Sequence, residues 1–438
     1  MYVLIYLGGA ILFFAMIMTS VALHEVGHLI PGKLFGVKTT QYMVGFGKTL
    51  WSTRRGETEY GVKAIPLGGY CRFVGMYPPD PRSGRVRQAR TGIFQSIADQ
   101  AREAEWEDIR PEDDGRLFYQ KKTWQKLIIM IGGPAMNIIL SFLILLGVSL
   151  SYGMPQATLQ VAVVNDCVIS AARQSSGNAQ DQTCKASDPQ TPAKQAGMRV
   201  GDVITTFNGQ QLRSWEQLSG LIRANGDGVA RITVRRDGRT VQLEPVHTVI
   251  NGVTSTTDPS KIIEAGFLGV SPRSELVRGG PVAVLREMAS MTEQSFHAIL
   301  RFPVKVYNTA ADLVTGRPRD ANGPMSIVGA SRIAGEVSAT DTIDVSTKAA
   351  QMFLLLGSVN LFLALFNFVP LMPLDGGHIV GAVYEGIKRW LARVFGRPDP
   401  GHADTAKMLP VAYVVGAVIA VSGAILILAD LIDPITLF

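Results

Sequence analysis

Val21-Ala22-Leu23-His24-Glu25-Val26-Gly27-His28 closes an apolar run that starts at Met1 and carries no charge before His24. The histidines are four positions apart, so on a helix both imidazoles share one face, one turn apart. Neutral imidazoles at that spacing can hold one Zn²⁺. Glu25, beside the first, can take a proton from an activated water. The pattern is the H-E-x-x-H of metalloproteases. A competing reading is a pair of buried histidines bonded to backbone, with Glu25 snorkelling to a boundary. Zinc is preferred because ionisable groups inside a spanning helix are costly and mark function.

The rest of the chain supports a membrane setting. It has 438 residues, 47% hydrophobic and only 18% charged, with a mean hydropathy of +0.19. Met1–Leu23, Leu127–Met154, Ala349–Leu374 and Met408–Ala429 lack charge and are long enough to span. The first has no basic leader region and no small-residue cleavage site, so it reads as a retained helix rather than a signal peptide. Pro31 and Gly32 are expected to end it.

Basic residues set the orientation. Lys33, Lys38, Lys121, Lys122 and Lys126 flank the first connection, and Lys388, Arg389, Arg393, Arg397 and Lys407 lie between the last two spans. Both loops are expected inside, with the termini and residues 155–347 outside. The net charge of +6 is explained by this asymmetry, and nothing suggests nucleic acid. Cys167 and Cys184 fall in the outward segment, where a disulfide could persist. Cys71 lies on the inner side and reads as a structural thiol.

Residues 36–73 alternate and are rich in glycine, which predicts short strands about an Arg54-Arg55-Gly56-Glu57 turn. Such strands can enter a bilayer only by lining a cavity or packing on protein, and their edge could hold an extended peptide. A small cytoplasmic hairpin without a substrate role is the alternative. Residues 78–122 read as a charged cytoplasmic insertion. In the second span, Gly132-Gly133-Pro134-Ala135-Met136-Asn137 predicts close helix packing; Asn137 is either a packing residue or a partner for substrate. Residues 158–248 predict a small β domain with one helix and hairpins at Asn208-Gly209 and Asp237-Gly238. Residues 280–347 read as amphipathic helices on the membrane surface.

Span three, placed at 349–378, holds Asn360, Asn367, Pro370, Pro373, Leu374, Asp375, Gly376, Gly377 and His378. A carboxylate there needs a cation. Asp375 as third ligand, with the fourth position left to water, completes a catalytic His₂-carboxylate set. As a plain helix cap it would leave the metal two ligands short. His378 is the weaker ligand candidate.

Together these residues resemble the site-2 protease family of intramembrane zinc metalloproteases, in the branch that includes the regulator of sigma-E protease. His24, Glu25 and His28 match its H-E-x-x-H, and Asp375 matches the acid of its L-D-G. Asn367 and Pro370 match the N-x-x-P before that motif; the resemblance implies that Asn367 helps to hold the substrate backbone. Residues 197–246 resemble a PDZ domain, 36–73 a membrane-reentrant β-hairpin, and Gly133-Pro134 with Asn137 the second-span signature. The chain departs from Gram-negative relatives in having one PDZ-like copy, and from the common pattern in having Pro373 where a proline at 372 is usual.

The reading is therefore a polytopic α-helical membrane protein with about four transmembrane helices (1–30, 124–154, 349–378 and 408–432), a reentrant β-hairpin and an extracytoplasmic PDZ-like α+β domain. Its expected function is zinc-dependent cleavage of single-pass membrane proteins from the bacterial inner membrane, near the cytoplasmic side. The resemblance implies pre-cleaved anti-sigma factors as substrates, with signal-peptide remnants as a second class. A zinc-carrying transporter explains the ligands but gives Glu25 no task, and a PDZ-type scaffold leaves the metal unexplained.

Overall fold

The structure, a computed structural model, describes residues 2–78, 109–170, 173, 183–254, 262–317, 319–320 and 323–435. In chain order these form α1 (Tyr2–Leu34), β1 (Thr39–Arg55), β2 (Thr58–Phe73), α2 (Thr123–Ser151), β3 (Met154–Val164) and α3 (Pro192–Gln195). There follow β4 (Val203–Phe207), β5 (Gln210–Gln211), α4 (Trp215–Asn225), β6 (Val229–Ala230), β7 (Ile232–Arg236) and β8 (Arg239–Gln242). Then come β9 (Val246–His247), β10 (Val249–Thr254), β11 (Ile262–Phe267) and β12 (Val270–Val277). The chain closes with α5 (Pro281–Thr315), α6 (Ile327–Ala339), α7 (Val345–Asn367), α8 (Asp375–Val394) and α9 (Leu409–Ile432). Two compact units result, one of Met1–Leu145, Leu285–Ala311 and Pro324–Phe438, the other of Leu146–Val284 and Asp312–Gly323. Most of the charged insertion expected at 78–122, residues 79–108, lies outside the described residues.

Among the described residues four helical segments are long and apolar enough to cross a membrane: Tyr2–Leu34, Thr123–Ser151, Val345–Asn367 and Thr405–Ile432. α1 does not stop at Pro31 as expected but continues to Leu34. The proline removes the amide that would bond the Gly27 carbonyl, and α2 packs against that carbonyl. A Cβ on Gly132 would stand 2.0 Å from Gly27 O, and a Cβ on Gly27 would stand 2.2 Å from Gly132 O. The hydrogens at those places therefore point at each other's carbonyls, a weak but reciprocal contact that only two glycines permit.

Span three also differs from expectation. α7 ends at Asn367, and Leu-Asp-Gly-Gly opens a new helix, α8, at Asp375. Pro370 and Pro373 prevent helix between them. Within 280–347, α6 does not lie on a surface. It is largely buried against α1: a Cβ on Gly9 would meet Ser338 and one on Gly335 would meet Tyr6. Its small residues allow the approach.

Residues 39–73 make more than a two-stranded hairpin. Gln41–Val44 pairs with Glu59–Val62 and also with Gly69–Arg72, while Trp51–Arg55 pairs with Thr58–Val62. Two kinked strands thus supply four rows, with Gly69–Phe73 at an edge. That row and the Gln41–Val44 row beside it lie on α1, where Tyr42 Oη donates to Ala22 O (2.8 Å) and Cys71 Sγ to Glu25 O (3.4 Å). Burial raises the Cys71 thiol far above its usual pKa, so it stays protonated.

The second unit is built on a six-stranded sheet, β12-β3-β4-β7-β8 with β5 on β4. Its core is Val161, Ile204, Phe207, Leu218, Ile232 and Leu268. Asn208-Gly209 and Asp237-Gly238 have positive φ at both positions, as hairpin turns of those pairs require. The boundary expected at 248 falls short, because β12 pairs with β3 from Val270↔Val164 to Val277↔Met154. Buried Asp202 accepts from Arg236 Nε (2.8 Å), Arg236 Nη2 (2.7 Å) and the Arg199 amide (2.8 Å). Cys167 and Cys184 are disulfide-bonded, with Cα atoms 5.8 Å apart.

Candidate metal centre

Three helices bring the site together. The Gly27–Gly132 contact sets α1 against α2 at the H-E-x-x-H turn, and the next residue, Gly133, faces both imidazoles. A Cβ there would lie 2.1 Å from His28 Nε2 and 2.7 Å from His24 Nε2. α8 starts at the same place. Asp375 is its first residue, and the preceding Leu374 occupies the cap position. Asp375 is therefore not a helix cap. The positive end of the helix favours its carboxylate.

His28 Nδ1 lies 2.8 Å from the Ile129 carbonyl, which can only accept, so Nδ1 carries the proton and Nε2 presents a lone pair. That lone pair faces His24 Nε2 at 3.2 Å, while Asp375 Oδ2 lies 3.3 Å from His24 Nε2 and 3.4 Å from His28 Nε2. His28 Nε2 and Asp375 Oδ2, both acceptors and 3.4 Å apart, repel each other unless a cation lies between them, and His24 Nε2 completes the triangle. Tetrahedral zinc with bonds of about 2.0–2.1 Å needs ligand atoms roughly 3.3–3.4 Å apart, and the observed edges fit. Asp375 Oδ2 is buried and has no hydrogen bond among the described residues. One group of three side chains there, His24, His28 and Asp375, could share a metal ion; His378 is not part of it.

Glu25, buried, sits on the same turn. The edge row of β2 passes directly over it, and a Cβ on Gly69 would lie 2.9 Å from Glu25 Cγ. Asn137 is buried one turn beyond Gly133 on the same helix face, and its Oδ1 has no hydrogen-bond partner among the described residues. Asn367 is the last residue of α7, half-buried on the segment leading to Asp375, and is not among the three donors. Sequence reasoning missed Gly69 and the Ile129 carbonyl, and read Gly133 as a packing residue without placing it against the imidazoles. Only the Gly-Gly pairs hinted at the two glycines, and a backbone carbonyl leaves no trace in a sequence.

The profile of Peptidase family M50 matches residues 12–395. The chain belongs to that family. Among similar proteins, Zinc metalloprotease Rip1 of Mycobacterium tuberculosis is 32% identical over 443 residues, covering 99% of this chain and 100% of the relative. Metalloprotease MmpA of Caulobacter vibrioides is 26% identical and covers 84% of each chain. Zinc metalloprotease RasP of Shouchella clausii is 24% identical over 86% of this chain and 90% of its own. This M50 peptidase is a zinc metalloprotease, and its spanning helices make it a membrane protein.

Proposed function

We propose that this peptidase cuts single-pass membrane proteins within the bilayer, close to its cytoplasmic face, with His24, His28 and Asp375 holding zinc and Glu25 as general base. The observation that carries the reading is the set of three donor atoms 3.2–3.4 Å apart at the end of an apolar helix, beside Glu25. Zinc held by these three side chains would lower the pKa of a water towards neutrality and would act as a Lewis acid. Glu25 takes the proton from the attacking water and passes it to the leaving amine. Asn137, with its unsatisfied Oδ1, and Asn367 orient the substrate backbone. A helical segment shields its amides and must unwind before it is cut. The Gly69–Phe73 edge, lying over Glu25, offers backbone partners for an extended chain, as a reentrant hairpin would.

Substrates of this kind include anti-sigma factors trimmed by an earlier protease, and signal-peptide remnants. The basic loops support a bacterial inner-membrane topology with both termini and the sheet unit outside, and the Cys167–Cys184 disulfide suits that side. Reporters near Gly252 and Gly396 are expected to read outside and inside, respectively. The sheet unit acts as a PDZ-like screen on the size of what remains attached to the substrate outside. Because β12 completes its sheet, the deletion that tests this spans residues 154–277.

The primary test is Glu25→Gln in the full-length protein. Cleavage of a trimmed single-pass substrate should fall by about 10²–10⁴-fold, with zinc content unchanged. Normal cleavage by this variant, or full zinc occupancy in Asp375→Ala, would overturn the assignment.

A further inference from the structure

α2 carries two polar tethers three residues apart. One is the Ile129 carbonyl, which fixes His28. The other is Lys126, whose Nζ donates to both carboxylate oxygens of Glu385 at 2.9 and 3.0 Å. Their side chains are 5% and 3% exposed, so the pair is buried and close to ideal in geometry. Glu385 belongs to α8, the helix that Asp375 begins. The two are ten positions apart on the helix, a rod of about 15 Å.

Among the described residues, the other partners of Glu385 come from its own helix and from the segment after it. The Ala403 amide donates to Oε2 (3.0 Å), Arg389 Nη1 lies 3.3 Å from Oε1, and His402 Nδ1 lies 3.5 Å from Oε1. Only Lys126 ties the carboxylate to α2. Beside it, a Cβ on Gly386 would lie 2.9 Å from Thr123 Cγ2, so the two helices meet closely here. At the start of α8, Gly376 and Gly377 pack on the 368–372 backbone. The helix is thus held at its first turn by backbone packing and at its middle by charge.

We propose that the Lys126–Glu385 pair is a positioning device, fixing where α8 presents the Asp375 carboxylate relative to the two histidines. α2 then acts as the common frame: it orients His28 through Ile129 and sets the reach of Asp375 through Lys126, 259 residues from its partner in the chain. A tilt of a few degrees about Glu385 moves Asp375 Oδ2 by several tenths of an ångström over such a rod, enough to degrade a tetrahedral site. The inference rests on the reading of Asp375 as a ligand.

The test is zinc affinity of the full-length protein in detergent, by competition with a chelator, for Glu385→Gln, Lys126→Met and Asp375→Asn, singly and with each of the first two combined with the third. Glu385→Gln and Lys126→Met are each expected to weaken zinc about tenfold, on the scale of groups that orient ligands, and to lower kcat with KM unchanged. In the Asp375→Asn background neither should weaken zinc further, because the lever has lost its load. Additive losses in that background, or wild-type affinity and kcat in both single variants, would overturn the proposal. If Asp375→Asn alone left zinc affinity intact, the ligand reading itself would fail, a separate outcome. Should Glu385→Gln not fold, Lys126→Arg keeps the charge and alters the reach. It is expected to change affinity several-fold only when Asp375 is present, and equal affinities in both backgrounds would overturn the tether.

Discussion

Replacing Gly133 by alanine adds one methyl group at the point towards which His24 and His28 converge. It would stand 2.1 Å from His28 Nε2 and 2.7 Å from His24 Nε2, whereas ordinary contacts begin at 3.4 Å. Moving the helix backbones apart would sacrifice the close Gly27–Gly132 packing that sets α1 against α2. His28 must therefore swing away, which breaks its 2.8 Å bond to Ile129 O. Losing that hydrogen bond costs about 1 kcal/mol, and residual overpacking adds about 1–3 kcal/mol. Together these weaken zinc by roughly 30- to 1,000-fold, at about 1.4 kcal/mol per decade. The assay is a chelator competition on the purified variant, with cleavage of a single-pass substrate measured in parallel. Gly147→Ala is the control on the same helix, with nothing within 4 Å of its added Cβ; it should fold and bind zinc normally. A Gly133→Ala protein that bound zinc within threefold of wild type and cleaved at the normal rate would refute the geometry on which the metal site is built.

Three further outcomes are expected. Gly69→Ala, whose methyl would meet Glu25 Cγ at 2.9 Å and Met43 O at 3.0 Å, should lower kcat at least tenfold while zinc content stays whole; unchanged turnover would show that the row of β2 over Glu25 has no bearing on the base. Arg236 and the Arg199 amide hold the buried Asp202 carboxyl below its ordinary pKa against the opposing effect of burial, so its stabilisation is present above about pH 3.9 and is lost as pH falls through the depressed value. Arg236→Met should cost the sheet unit about 3 kcal/mol at neutral pH and flatten that acid limb, as read by thermal melts between pH 2 and 7. Reducing Cys167–Cys184, which closes a 17-residue separation, should destabilise the same unit by about 3 kcal/mol, and a melt insensitive to reductant would count against it.

What could be read from the sequence was what local pattern encodes. His24, Glu25, His28 and Asp375 stood out because each is an ionisable group within or beside an apolar run, and the glycine-bearing hairpin turns at 208–209 and 237–238 follow from backbone preference alone. The four-row sheet of 39–73 was not legible, since Gln41–Val44 pairs on both sides and alternation along one strand cannot reveal a second partner. α6 was misplaced on the surface although Gly329, Ala330, Ser331, Ala334 and Gly335 already signalled a helix meant for close packing. β12 escaped the domain boundary, and Lys126 its partner Glu385, for one reason: both pairings join residues that are remote along the chain.

The donor set has an order in time as well as in space. His24 and His28 are made early, Gly133 more than a hundred residues later, and Asp375 only when most of the chain has left the ribosome. Synthesis runs from the N-terminus, and early segments insert and fold while later ones are still absent. A truncated or stalled chain therefore reaches the membrane with the general base and two imidazoles but without the third donor or the helix that bears it. On the proposed assignment, the site is armed only once α8 has been made, and the half-made enzyme passes among the cell's other membrane segments without a finished blade.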